Sequence, residues 1–165
     1  MEEPDPLIDL KSDEYFMREA LKLAAKAFEA DEVPIGAVVV HGDKVIARAH
    51  NQVEQLKDAT AHAEMIAITQ AASALGDWRL QECTLFVTKE PCPMCAGAAV
   101  LSRLQRLVFG VKDEKMGGAG GALNVTNNAG FNHQIEVVPG LLGDESLALL
   151  KLFFEKQRQK TGSGG

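Results

Sequence analysis

A histidine, a glutamate and two cysteines stand out because their types and spacing suit a metal-dependent hydrolytic site. One residue separates His62 from Glu64, and two residues separate Cys92 from Cys95 within the run PCPMC. One imidazole and two thiolates predict a zinc site with an open fourth position, since a structural site would normally close with a fourth protein ligand. The open position can hold a water, and a carboxylate beside that water can move protons. We therefore predict three zinc ligands, His62, Cys92 and Cys95, and assign the proton transfers to Glu64.

Two helices must bring these residues together. The two cysteines lie at helical spacing, so a helix over residues 92–101 places both on one face. A second helix is predicted over residues 61–75, with His62 at its start. Helix N-termini favour thiolates through unpaired amides and the helix dipole. Two such termini that meet at the carboxyl edge of a sheet would surround one ion, with Glu64 close to it.

The remaining pattern predicts an α/β fold. Apolar residues at helical spacing after Ser12 predict a first helix, which ends before Pro34. Near-continuous apolar runs predict strands that are covered on both faces. The strands are predicted at residues 35–40, 44–49, 84–88, 106–111 and 135–138, and a last helix at 144–159. This order predicts a three-layer α/β/α architecture, in which helices flank a five-stranded mixed sheet.

Length and composition fit one globular domain. The chain has 165 residues, of which 46% are hydrophobic and 24% are charged, so neither a disordered chain nor a membrane protein is indicated. We divide it into an acidic, disordered leader (1–11), a single domain that carries the zinc motif (12–160) and a flexible tail (161–165). Three cysteines, two of them in CxxC, indicate metal or redox chemistry in a reducing compartment. With no recognisable secretory or mitochondrial signal, a cytoplasmic location is expected.

The charge distribution bears on the partner. A net charge of −6 argues at first against nucleic acid. However, residues 1–14 carry a balance of −5, whereas residues 151–160 carry +3. This permits an RNA contact near the C-terminus, although on charge alone two solvated termini are the simpler explanation.

Each residue of the motif also has a simpler explanation when taken singly. The CxxC could be a redox pair, but a redox pair would not explain His62 and Glu64. It could be half of a structural zinc site, but no second half is present in the sequence. Cys83 lies outside the motif and is interpreted as a small buried hydrophobe. The Gly- and Asn-rich segment 112–130 is too long for a mere connector, so we expect it to contact a substrate or a second subunit.

The motif resembles the H-x-E…P-C-x-x-C signature of the zinc-dependent nucleobase deaminases. Within that superfamily the chain resembles the bacterial tRNA-specific adenosine deaminases over about residues 13–158. The similarity is carried by EVPIGAVVV, Asn51, TAHAEMIAI, TLFVTKEPCPMCAGA, LVFGVKD, the glycines of 117–121, FNH at 131–133 and the Phe153-Phe154 pair.

The resemblance implies a cytidine deaminase-like fold, a homodimer and hydrolysis of adenosine to inosine at the wobble position of a tRNA anticodon stem–loop. It implies one zinc ion per subunit, with Glu64 passing a proton from the water to the purine ring and then to the leaving ammonia. It also implies a set of substrate-binding residues. These are Ile35, Asn51, Ala63 and Phe154.

Departures from the family pattern leave the substrate open. Lys89 stands where the family usually has an apolar residue, and it is expected to touch a phosphate or to pair with Glu90. The last helix, ending in FFEKQRQK, is less basic than in the family. The nearest alternative is a deaminase of a free nucleobase or nucleoside, such as guanine or cytosine. A zinc-stabilised subunit without activity is disfavoured because Glu64 is present.

Overall fold

The computed structural model describes residues 12–162, in which every predicted helix and strand is present and in the predicted order. The helices are α1 (Asp13–Glu29), α2 (Val53–Leu56), α3 (Ala63–Leu75), α4 (Pro93–Leu101) and α5 (Gly143–Gly162). The strands are β1 (Gly36–His41), β2 (Lys44–His50), β3 (Cys83–Lys89), β4 (Arg106–Val111) and β5 (Glu136–Val138). No helix in this part of the chain is long and apolar enough to cross a bilayer.

Two differences from the sequence prediction exceed a boundary shift of one or two residues. The single-turn helix α2 was not predicted, because four residues are too few to show a helical period. Helix α5 continues to Gly162 and so includes two residues that composition assigned to the tail. The remaining tail residues, 163–165, and the predicted acidic leader, 1–11, lie outside the described residues.

The sheet is mixed, with strand order β2-β1-β3-β4-β5. Strand β1 runs antiparallel to β2 and β3, whereas β3, β4 and β5 are parallel. The start of β1 therefore lies at the same edge as the ends of β2, β3 and β4. We call this edge the carboxyl edge. The loops after β2, β3 and β4 all leave the sheet there.

Alternate strand residues pack against different helices. On one face Val38, Phe86 and Val108 pack against Phe16 and Met17 of α1. On the other face, the sheet packs against α3 and α4 through Ala37, Val39, Leu85, Val87, Leu107 and Phe109. Helix α5 packs on the α1 side, where a Cβ on Gly110 would overlap the side chain of Ser146. The predicted three-layer α/β/α fold is confirmed.

Helix α1 approaches β1 so closely that only glycine fits at position 36. A Cβ on Gly36 would overlap the Ala20 carbonyl oxygen and the Ala24 amide nitrogen. The close approach fixes the start of β1, and with it the carboxyl edge. The N–H of Gly36 also donates to the Thr88 hydroxyl near the end of β3, at 3.2 Å.

Candidate active site

His62, Cys92 and Cys95 meet at the carboxyl edge. His62 Nδ1 lies 3.5 Å from Cys92 Sγ and 3.4 Å from Cys95 Sγ. His62 is the N-cap of α3 and Cys92 the N-cap of α4, yet neither side chain caps its helix. Both side chains are directed into the cluster instead. One nitrogen and two sulfur atoms within 4.8 Å of one another form a donor set that can hold a metal ion.

The two thiols differ in protonation. Hydrogen bonds from Cys95 and His62 lower the pKa of the Cys92 thiol to about 4. The hydrogen bond with Cys92, followed by burial, raises the pKa of the Cys95 thiol, and the bond with Cys92 also raises the pKa of His62. Metal binding requires the remaining thiol proton to leave, so affinity for a metal should rise with pH.

Glu64 is buried beside this cluster, and one of its two carboxylate oxygens lacks a partner among the described residues. Its side chain is 4% exposed, and its Oε1 has no hydrogen-bond partner within residues 12–162. Burial raises the pKa of the Glu64 carboxyl to about 7. An unpaired buried oxygen costs roughly 1–3 kcal/mol, so this position indicates a partner supplied by a ligand or water. An orphaned carboxylate oxygen beside a His–Cys–Cys donor set fits a hydrolytic metal centre.

Asn51 ties the segment that carries His62 to the sheet. Its side-chain Oδ1 accepts the N–H of Ala63 at 3.0 Å, and its own N–H donates to the Ile35 carbonyl at 3.1 Å. The orientation of the amide is therefore fixed by Ala63. Within the described part of the chain, Asn51 Nδ2 makes no hydrogen bond and stays available as a donor.

A cavity of about 700 Å³ opens beside His62 and Asn51. One side is formed by residues 30–33, and another by Phe153 and Gln157 of α5. The volume suits a ligand the size of a nucleoside. We call this space the base cavity. Asn51 and His62 both line it.

Two predicted substrate residues lie behind the wall of the base cavity. Ile35 packs against the core on the α3 side, and Ala63 is fully buried. Neither lines the base cavity. Both residues contact Asn51 instead, whose Oδ1 accepts the Ala63 N–H and whose N–H donates to the Ile35 carbonyl.

A second cavity, of about 640 Å³, lies beyond the end of β4 and contains Phe154, which is 43% exposed. We call it the cationic cavity, because five cations and two acids line it. The cations are Lys89, Lys112, Lys115, Lys151 and Arg158, and the acids are Asp113 and Glu114. Lys89 Nζ lies 3.2 Å from Asp113 Oδ2, so the expected pairing of Lys89 with Glu90 is wrong. The Glu90 carboxylate accepts hydrogen bonds from backbone N–H groups instead.

Two buried glutamates at this edge were not among the predicted site residues. Glu32 is 1% exposed and accepts the N–H groups of Glu54 at 2.9 Å and Gln55 at 2.7 Å, which anchors α2. Glu90 is 4% exposed and accepts three backbone N–H groups. The sequence offered no signal for either one, because Glu32 directly follows Asp31 and Glu90 directly follows Lys89 in polar stretches where an exposed carboxylate is expected.

Comparison with known proteins identifies the family. A model of the MafB19-like deaminases matches residues 11–158. The tRNA-specific adenosine deaminase of Bacillus subtilis (strain 168) is 52% identical over 151 residues, which are 92% of this chain and 94% of the relative. The chain belongs to this deaminase family. The resemblance inferred from the sequence motifs is confirmed.

Solved structures of deaminases also superpose on this chain. A tRNA:A34 deaminase, from a study of A-to-I editing at the wobble position of transfer RNA, superposes with a TM-score of 0.79 and 43% identity. That match covers 82% of this chain and 99% of the other. A guanine deaminase from Nitrosomonas europaea superposes with a TM-score of 0.75 and 26% identity, over 92% of this chain and 93% of the other. Sequence identity thus favours the tRNA enzymes over the free-base enzyme.

Proposed function

We propose that this protein is a zinc-dependent tRNA adenosine deaminase, which converts adenosine to inosine at the wobble position of an anticodon. The proposal rests on one observation. A buried carboxylate with one unpaired oxygen lies beside a His–Cys–Cys donor set in a chain that is 52% identical to a tRNA-specific adenosine deaminase. Deamination of a free nucleobase such as guanine is the competing activity, supported by a structural neighbour at 26% identity.

His62, Cys92 and Cys95 would hold one zinc ion per subunit. Zinc bound there would supply a nucleophile near neutral pH by lowering the pKa of water. The choice of zinc is supported by the ligand chemistry, since imidazole and thiolate together suit this ion. Because the protein would provide only three donors, the fourth coordination position of the ion would remain open for a ligand from outside the protein.

Glu64 carries the protons of the reaction. It removes a proton from the attacking water, delivers it to the purine ring and then assists proton transfer to the amino group. A carbon–oxygen bond forms at C6 and the carbon–nitrogen bond breaks, so adenine becomes hypoxanthine and the amino group leaves as ammonia. The pKa of Glu64, raised to about 7 by burial, supports a group that both accepts and releases protons.

The base cavity would hold the adenine. Asn51 offers its free Nδ2 to an acceptor atom of the base, while Ala63 fixes the amide through Oδ1. Ile35 supports the same residue through its carbonyl. Anticodon-loop bases are already unpaired, so a deaminase of such loops spends no energy on opening a duplex.

The cationic cavity would contact the RNA that flanks the target base. Phe154 is half-exposed and can stack on a base, and the surrounding cations can contact phosphates. Residues 151–160 carry a balance of +3, which supports the same assignment. The stem–loop would therefore lie across α5, with Phe153 facing one cavity and Phe154 the other.

A homodimer and a cytoplasmic location complete the proposal. Several large apolar side chains of the single chain are exposed, including Leu101 at 71%, Met116 at 59% and Leu123 at 56%. Exposed apolar side chains support a further protein contact. Sedimentation of the metal-loaded protein tests the dimer directly.

The experiment that tests the activity uses purified, zinc-loaded protein and three anticodon stem–loops. One carries adenosine at the wobble position, one carries it at the neighbouring loop position, and one carries guanosine at the wobble position. Nucleoside mass spectrometry measures inosine and xanthosine. We expect inosine from the first stem–loop only. Equal deamination at both adenosine positions would contradict wobble specificity.

A further inference from the structure

Glu90 is enclosed by the glycine-rich loop that follows β4. Its Oε1 accepts the N–H of Asp113 at 3.0 Å, and its Oε2 accepts the N–H groups of Ala119 at 3.0 Å and Gly121 at 2.8 Å. The side chain is 4% exposed. Hydrogen bonds to an ionised acceptor are stronger than neutral ones, so three of them hold the loop firmly.

The glycines of this loop are required by the enclosed carboxylate. A Cβ on Gly117 would overlap Glu90 Oε2, and a Cβ on Gly121 would overlap the Asp113 carbonyl and approach Glu90 Oε1 at 2.6 Å. Neither position has a left-handed backbone, so the requirement is space and not conformation. The loop is thus built to wrap around Glu90.

The same loop contacts both the segment that carries the metal-ligating cysteines and the cationic cavity. On one side Gly118 donates to the Pro91 carbonyl at 2.7 Å, and a Cβ there would lie 3.0 Å from the Cys92 carbonyl oxygen. On the other side Asp113 and Lys115 line the cationic cavity, where Asp113 pairs with Lys89. Glu90 therefore lies between the metal-ligating segment and the surface assigned to RNA.

We propose that Glu90 is a positioning residue for RNA. It holds the loop of residues 112–121 so that the wall of the cationic cavity keeps a fixed place beside the metal ligands. This inference rests on the proposed function, because it assigns the cationic cavity to the RNA substrate. The metal ligands themselves are held by β3, α3 and α4, so loosening the loop should weaken RNA binding without releasing the metal.

Glu90→Gln tests this with little change in shape. Each carboxylate oxygen accepts at least one N–H, so the amide nitrogen must face an N–H donor in either orientation. We expect KM for the wobble-adenosine stem–loop to rise about tenfold, with kcat within about twofold and an unchanged zinc content. Amide hydrogen exchange at Asp113, Ala119 and Gly121 should accelerate by at least about tenfold in the same variant.

The control is Glu82→Gln. Glu82 directly precedes β3 and Glu90 directly follows it, so Glu82 lies at the opposite edge of the sheet, where it is exposed. It should leave KM and the three exchange rates unchanged. Unchanged exchange in Glu90→Gln, or a fall in kcat with unchanged KM, would overturn the proposal. If Glu90→Gln fails to fold, Gly121→Ala displaces the loop while keeping the carboxylate, and the same outcomes decide.

Failure of the proposed function gives a different result. If the parent protein does not deaminate the stem–loop, the function is wrong whatever the variants do. The exchange rates still decide whether Glu90 holds the loop. Faster exchange in an enzyme whose stem–loop KM does not change would overturn the positioning role alone.

Discussion

At the scale of single residues, the site is built from side chains that contribute little to stability. His62 and Cys92 begin helices without capping them, and Glu64 leaves an oxygen unpaired in the interior. A missing N-cap and an unpaired buried acceptor each cost about 1 kcal/mol or more. Such costs are retained where chemistry requires the arrangement.

Glu64→Gln separates chemistry from metal binding. The amide keeps the size of the side chain but cannot carry a proton, so deamination should fall by at least about 100-fold. The zinc content should match that of the parent, because Glu64 lies outside the donor set. Single-turnover rates and metal analysis measure the two effects. A variant that keeps its activity, or loses zinc, would contradict the role of Glu64.

Cys92→Ser should lose the metal and lower the melting temperature together, because metal binding to the folded state contributes to stability. Cys83→Ser is the matched control, since Cys83 is a fully buried free cysteine outside the cluster. It should keep zinc at parent stoichiometry. Loss of zinc from both variants would mean that general destabilisation, and not ligation, explains the result.

The sequence could predict some residues of the site but not others. His62, Glu64, Cys92 and Cys95 were predictable because their chemistry is local to two short motifs. Glu90 was not, because its partners are backbone N–H groups 23 to 31 residues away. Backbone donors are identical in every residue, so no pattern of side chains marks them.

At the scale of elements, the site depends on loops that the sheet brings to one edge. The segment between β2 and α3 is fixed at its base by Asn51 and at α2 by Glu32. The strands could be predicted from their apolar runs, whereas α2 could not. Its position is set by a carboxylate in the loop before β1, a contact that spans 22 residues.

Glu32→Ala should loosen the segment that carries Asn51 and His62. Two hydrogen bonds to a carboxylate are lost, and the amides of Glu54 and Gln55 become unpaired. We expect faster exchange at those two amides and a stability loss of about 2–3 kcal/mol, measured by urea unfolding. Glu29→Ala, an exposed residue at the end of α1, should change neither. Slow exchange in Glu32→Ala would show that α2 does not depend on Glu32.

Gly36→Ala tests the contact between α1 and β1. The added methyl would overlap backbone atoms of α1, so stability should fall by about 2 kcal/mol or more. Gly97→Ala is the matched control, because its Cβ would meet no atom within 4 Å and alanine favours a helix. Urea unfolding should show that variant to be as stable as the parent or more so. Equal stability of Gly36→Ala and the parent would contradict the close packing.

At the scale of the whole molecule, the local distribution of charge is more informative than the net charge. The net charge is −6, yet the cavity beside α5 carries five cations against two acids. The sequence could indicate a basic C-terminal end. It could not show that Lys89 of β3 and Lys112 and Lys115 of the loop after β4 come to line the same cavity as that end, because this loop contacts Glu90 through backbone N–H groups.

RNA affinity should therefore depend on salt. Lys151→Ala and Arg158→Ala should each reduce the slope of log affinity against log salt concentration by about 1, if each cation meets a phosphate. Lys44→Ala is the control, because Lys44 begins β2 at the opposite edge of the sheet. Titrations of labelled stem–loop at several salt concentrations measure the slopes. Equal slopes for all three variants would show that RNA does not bind at the cationic cavity.

The most direct test of the account compares kcat/KM of the zinc-loaded protein for three substrates. These are the wobble-adenosine stem–loop, free adenosine and free guanine, measured at the same salt concentration and pH. The account predicts a kcat/KM for the stem–loop that exceeds the other two by at least about 1,000-fold, because binding energy at the cationic cavity is available only to RNA. A higher kcat/KM for free guanine than for the stem–loop would contradict it, and would make the protein a free-base deaminase with the same metal site.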